Sequence, residues 1–116
     1  MNKDVYFLAD DQISQDVGGG ITRKVIARGG TMMIVEITFA KGACPPPHAH
    51  EHEQVSYCTK GSLIFTVDGE KQLIGPGDSI YMPSNCMHGC EVLEDNTILL
   101  DVFTPQRQDF LDALPK

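Results

Sequence analysis

The stretch Gly42-Ala43-Cys44-Pro45-Pro46-Pro47-His48-Ala49-His50-Glu51-His52-Glu53-Gln54 decides how the rest of the chain is read. Three of the four histidines of the protein fall within five residues of it, and the fourth is His88. In an extended strand, residues two apart share a face, so His48 and His50 can turn two imidazoles toward one point. His52 and Gln54 share that parity, and His52 competes with His48 or His50 if the strand starts later. Glu51 and Glu53 have the opposite parity and are expected to face solvent or to orient a ligand from behind. Imidazole is the commonest metal-binding side chain at neutral pH. Taken alone, the segment also reads as a solvated loop of histidines. The triple proline before it cannot join a central ladder and brings the chain in extended.

Outward from this segment the sequence alternates short apolar runs with Gly, Pro and Asp turns, which predicts a sandwich or barrel. Strands are predicted over 21–28, 31–39, 53–59, 62–67, 71–74, 79–82, 89–93 and 97–103. Asp68-Gly69 predicts a tight hairpin turn, because both positions of a type I′ turn need positive φ. Gly29-Gly30, Lys60-Gly61 and Gly75-Pro76-Gly77-Asp78 separate other runs. Beyond Pro105, the residues Phe110, Leu111 and Leu114 have helical spacing and predict a short helix over 106–114, whose apolar face is read as core.

The 116 residues suit one domain, since single cores typically take about 100–150 residues. The expected unit is 1–116, with a core over about 21–104 and a tail over 105–116. A formal charge of −7 argues against nucleic-acid and anionic-membrane partners, which need a basic surface. An anionic ligand must then be attracted locally. With no apolar run long enough for a signal peptide or membrane span, the expected compartment is the cytoplasm. Cys44, Cys58, Cys86 and Cys90 are accordingly expected as reduced thiols. Cys86 and Cys90 flank His88, but strand alternation makes them core residues rather than zinc ligands.

A second feature lies in Ile98-Leu99-Leu100-Asp101-Val102-Phe103-Thr104-Pro105-Gln106-Arg107. Asp101 interrupts an apolar strand, and alternation puts it on one face with Leu99 and Phe103. A carboxylate inside a barrel needs a partner or a chemical role. Both readings stand at this point.

Read together, Gly42-x5-His48-x-His50-x3-Gln54-x6-Gly61 and Gly77-x5-Pro83-x-Asn85-x2-His88 resemble the two motifs of the cupin family. The resemblance implies an all-β fold, a single-domain cupin built as a small antiparallel jelly-roll barrel with a short C-terminal helix. It also implies metal ligands at His48, His50, Gln54 and His88. The chain departs from the pattern at Gln54, Asn85 and Val92, where the family usually has Glu, Gly and Asn. A neutral amide leaves the full charge on a dipositive ion, making it a stronger Lewis acid and anion anchor.

The run Asp101-x-Phe103-x-Pro105-x-Arg107-x-Asp109-Phe110 is similar to that of the KdgF group of cupins, pectin- and alginate-degradation proteins that open the ring of 4,5-unsaturated uronates. That similarity implies Asp101, Phe103 and Arg107 as active-site residues and Gln54 as a ligand. The implied cofactor is one divalent transition metal ion, with Ni, Zn, Mn, Fe and Co all compatible with the donor set. The implied partners are a small anionic sugar and a second copy of the chain in a homodimer. A sugar-binding cupin without turnover and a cupin dioxygenase are the competing functions.

Overall fold

The computed structural model describes residues 5–115. After a 3₁₀ turn at Ala9–Asp11 come nine strands: β1 Gln15–Gly18, β2 Ile21–Gly29, β3 Met32–Phe39, β4 Glu53–Lys60, β5 Leu63–Val67, β6 Glu70–Ile74, β7 Ser79–Met82, β8 His88–Val92 and β9 Thr97–Thr104. A one-and-a-half-turn helix, α1, spans Gln108–Asp112. Six strands form one antiparallel sheet in the order β1-β2-β3-β9-β4-β7, and three form a second in the order β6-β5-β8. All eight predicted strands are present, with no end shifted by more than one residue. Before residue 21, β1 adds an edge strand that sequence reading missed. Its residues Gln15-Asp16-Val17-Gly18 are polar and mostly exposed and carry a register shift, so they show no alternation to detect. The helix is shorter than the predicted 106–114, since Arg107 is still extended at its N-cap.

Alternation places the core. Met33, Val35, Ile37 and Phe39 of β3 point inward, as do Leu99, Asp101 and Phe103 of β9 and Gln54, Ser56 and Cys58 of β4. The registers line these up in rows across the sheet: Met33, Phe103 and Gln54; Val35, Asp101 and Ser56; Ile37, Leu99 and Cys58. The first two rows therefore turn apolar bulk and polar groups to the same interior, and the third is apolar throughout. Full burial of Phe103 is worth roughly 2–3 kcal/mol, and that ring is 2% exposed.

Two turns show why the glycines of the motifs stand where they do. Gly61, between β4 and β5, has φ +84, and a Cβ there would lie 2.7 Å from the Thr97 Cα. Both the left-handed backbone and the close approach to β9 demand glycine. Asp68 and Gly69 have φ 48 and 84, as the hairpin joining β5 and β6 requires. Asn85, where the resembling family has glycine, has φ 63, a region asparagine tolerates better than most side chains. Among the described residues, no helix is long and apolar enough to cross a membrane.

Candidate metal centre

Backbone pairing brings the two motifs together. The His48 and His88 amides each donate to the other's carbonyl at 2.9 Å, and the Asn85 amide donates to the His50 carbonyl at 2.7 Å. This seam joins the histidine segment to β8, and it gathers the rings, tilted or edge-on to one another: centroids lie 4.4 Å apart for His48 and His88, 4.8 Å for His50 and His88, and 5.4 Å for His48 and His50. One ring nitrogen from each of the three falls within 4.8 Å of the others. His52 is outside the cluster. Its carbonyl instead accepts from, or faces, the His50 Nδ1 at 3.0 Å, while its own Nδ1 is buried without a partner.

Gln54 is 6% exposed and its Oε1 lies 3.1 Å from the His50 Nε2. Its amide nitrogen donates to the Ser56 hydroxyl at 3.0 Å, and that hydroxyl donates to Asp101 Oδ1 at 2.6 Å. This chain orients the amide oxygen toward the histidines. His50 thus has an oxygen beside each ring nitrogen, and a neutral imidazole carries only one N–H. Whichever tautomer forms, one nitrogen lone pair faces an oxygen lone pair. Protonating both nitrogens is disfavoured, because burial, followed by the Arg107 charge, holds the His50 pKa below its ordinary value. A bound cation would remove the conflict, since Nδ1–H could then donate to the His52 carbonyl and the lone pairs of Nε2 and Oε1 would both be available as ligands. His88 fits the same pattern: its Nδ1 lies 3.2 Å from the Cys86 carbonyl, which leaves Nε2 as the bare donor. Burial, then the neighbouring His48, pushes its pKa down to about 4, so the ring is neutral and able to bind metal. The donor set fits a divalent cation.

The cluster opens on a cavity of about 270 Å³ lined by His48, Gln54, His88, Asp101, Phe103 and Arg107, among others. Small-molecule pockets run from roughly 300 Å³ upward, so the space suits a single sugar ring better than a polymer. Asp101 is buried at its inner wall. Desolvation pushes its carboxyl up to about 6, against the hydrogen bonds of Ser56 and Gln54 and the charge of Arg107, all of which pull it down. A carboxyl there changes state near neutrality.

The structure adds to the sequence reading at Arg107, Phe110, Arg23 and Ser56. Arg107 is not free to present both of its donor edges: its Nε and Nη2 hold Asp109 at 3.0 and 2.8 Å. Its guanidinium also lies 4.1 Å from the Phe110 centroid and 5.2 Å from that of Phe103. Phe110 on α1, read as core, lines the cavity as well. Arg23 of β2 and Ser56 of β4 were missed, although the alternation that exposed Asp101 marks both as inward polar residues, Arg23 between Ile21 and Val25 and Ser56 between Gln54 and Cys58. Glu51 and Glu53 are exposed as expected, and Glu53 accepts the Tyr81 hydroxyl. Cys86 and Cys90 do not belong to the histidine cluster, and burial raises both thiols, Cys90 to about 12.

Residues 35–103 match the family model of the cupin domain. The pectin degradation protein KdgF of Dickeya dadantii (strain 3937) is 40% identical over 107 residues, spanning 91% of this chain and 97% of its own. The crystal structure of KdgF from Halomonas sp. superposes with a TM-score of 0.86 at 38% identity, covering 90% of this chain and 98% of that one. An RmlC-like cupin from Shewanella frigidimarina superposes at 0.83 with 37% identity, over 89% and 92% of the two chains.

Proposed function

Because the chain belongs to the cupin family and KdgF proteins are among its relatives, we propose that it acts in pectin breakdown, opening the ring of 4,5-unsaturated uronate monosaccharides to the open-chain 4-deoxy-5-keto acid. Equivalent monosaccharides from alginate share the reacting atoms and are candidate substrates too.

In this reading His48, His50, Gln54 and His88 hold one divalent ion. When bound, the ion supplies a Lewis acid that anchors the substrate carboxylate and stabilises the developing enolate. Asp101, ionised above about pH 6, takes the proton of the C1 hydroxyl. The C1–O bond to the ring oxygen breaks, C1 becomes an aldehyde, and the ring oxygen leaves as the enolate of C5. Asp101 then returns a proton to C4, which completes the keto acid with no net gain or loss of atoms. Phe103 packs on the sugar face, and Arg107, steadied by Asp109, directs its remaining donors to the carboxylate.

The observation that carries this reading is the Asp101–Ser56–Gln54 chain, which places a carboxyl of near-neutral pKa in the same cavity as the histidine cluster and hydrogen-bonds it toward that cluster. The test is to add metal-loaded protein to a pectin lyase digest and follow the open-chain product by NMR. Product formation beyond the uncatalysed rate supports the reading. Retained sugar binding without acceleration would make the protein a binding cupin instead.

We also infer a homodimer. Val55, Tyr57 and Tyr81 leave the outer face of the six-stranded sheet apolar and 43–55% exposed, and β7 ends that sheet with an unpaired edge. Light scattering that gives a monomer at micromolar concentration would overturn it.

A further inference from the structure

Arg23 sits on the inner side of β2, between the half-buried Ile21 and Val25, and lines the same cavity as His48, His88 and Asp101. Its guanidinium lies 4.0 Å from the centroid of Phe110, and that of Arg107 lies 4.1 Å from the same ring. One carboxylate, Asp109, serves the pair, and it is bound to Arg107. Among the described residues Arg23 has no ion pair or side-chain hydrogen bond, and its Nε is buried without an acceptor. Arg23 is half-buried rather than buried, but a guanidinium N–H taken out of water is ordinarily given an acceptor, because leaving it unpaired costs roughly 1–3 kcal/mol.

Packing on Phe110 explains part of this arrangement. It accounts for the position of the guanidinium, since an arginine over an aromatic face is stabilised. It does not account for the missing acceptor, or for two cations being gathered at one ring in a chain of net charge −7. An anion entering the cavity accounts for both.

We propose that Arg23 is a second carboxylate-binding residue of this cavity, so that the acid group of the ligand is held by Arg23 and Arg107 together. The proposal rests on the uronate reading above and names the pair that separates uronates from neutral sugars of the same shape. Arg107 is fixed by Asp109, whereas Arg23 brings donors that no protein group uses.

The test uses the metal-loaded protein and two inert probes, galacturonate and galactose, which differ at C6 as acid and alcohol. Arg23→Met keeps an apolar stem on Phe110 and removes the charge, and Arg23→Lys keeps the charge without the planar fork. Calorimetry should show galacturonate binding weakened roughly 10- to 100-fold in Arg23→Met, the factor that losing a charged hydrogen bond carries. Arg23→Lys should lose less, and galactose affinity should not change in either. With the unsaturated uronate, KM should rise by a similar factor and kcat should change less. Metal content and melting temperature are measured on the same samples. Unchanged galacturonate affinity in both variants overturns the proposal, as does an equal loss for galactose, which would mark Arg23 as a support for α1. Wild-type protein that binds galacturonate no better than galactose also overturns it. Should Arg23→Met fail to fold, Arg23→Lys decides by the same comparison. Galacturonate binding that depends on Arg23 without ring opening would leave this proposal standing and remove the catalytic one. Ring opening with an unchanged KM in the variants would do the reverse.

Discussion

Replacing Asp101 by asparagine should make the metal-free protein more stable and the metal-loaded protein inactive. The carboxyl is buried at the inner wall of the cavity, and desolvation lifts its pKa from 3.8 to about 6. Between these values the folded chain binds more protons than the unfolded one, so stability falls as pH rises through this window and stays reduced above it. A shift of about two units, at about 1.4 kcal/mol each, puts the burden of the ionised group at roughly 3 kcal/mol at pH 7. Asparagine mimics the neutral acid, and its carbonyl can still accept the Ser56 hydroxyl that donates to Asp101 at 2.6 Å. Its amide hydrogens need partners of their own, which takes back about 1 kcal/mol or more. The expected gain is therefore roughly 1–3 kcal/mol at pH 7, shrinking toward pH 4, where aspartic acid is protonated in the folded chain. Urea unfolding of both proteins after chelation, repeated from pH 4 to 8, measures the gap, and other titrating groups cancel in the difference. A gap that does not vary with pH, or an asparagine variant less stable at pH 7, would refute the argument and make Asp101 a structural anchor. Reloaded with metal, the same variant should lose roughly 10²–10⁴-fold in turnover. Near-normal turnover in a folded, loaded sample removes the proton-transfer role.

Three further outcomes follow from the site and its frame. His88→Ala should lower the metal content of purified protein well below the expected one ion per chain, and equal content by elemental analysis would contradict the ligand set. Gln54→Glu should retain the ion but weaken galacturonate binding, because an added carboxylate cancels one positive charge beside the anion. Unchanged affinity by calorimetry counts against that charge argument. Gly61→Ala should destabilise the fold by roughly 2–4 kcal/mol in urea, combining a left-handed backbone with overpacking, since its Cβ would meet the Thr97 Cα at 2.7 Å. A loss under 1 kcal/mol would mean that the β4–β5 turn relaxes away from β9.

What could be read from the sequence follows from which physical constraints are local. Period-two alternation is local, and it correctly placed Gln54, Asp101 and Phe103 on inner faces before any register was known. Turn chemistry is local too, so Asp68-Gly69 announced its hairpin. The choice among His48, His50 and His52 was not local. All three have the same parity, and what gathers His48 and His50 beside His88 is the backbone bridge between His48 and His88, which connects residues forty positions apart. The setting of Arg107 was not legible either, because Asp109, two residues on, occupies one edge of its guanidinium. Arg23 lay in plain view, a charged residue inside an apolar alternation, yet its meaning depended on Phe110 of a helix at the other end of the chain. Asp101 had been recognised by that same rule. Applied to every strand rather than to the last one alone, the rule finds both charged groups that face the cavity from the sheet, and it finds them with opposite signs. An acid and a base set into one apolar interior without touching each other are poorly explained as a structural ion pair, and well explained as two ends of a site that a polar ligand completes.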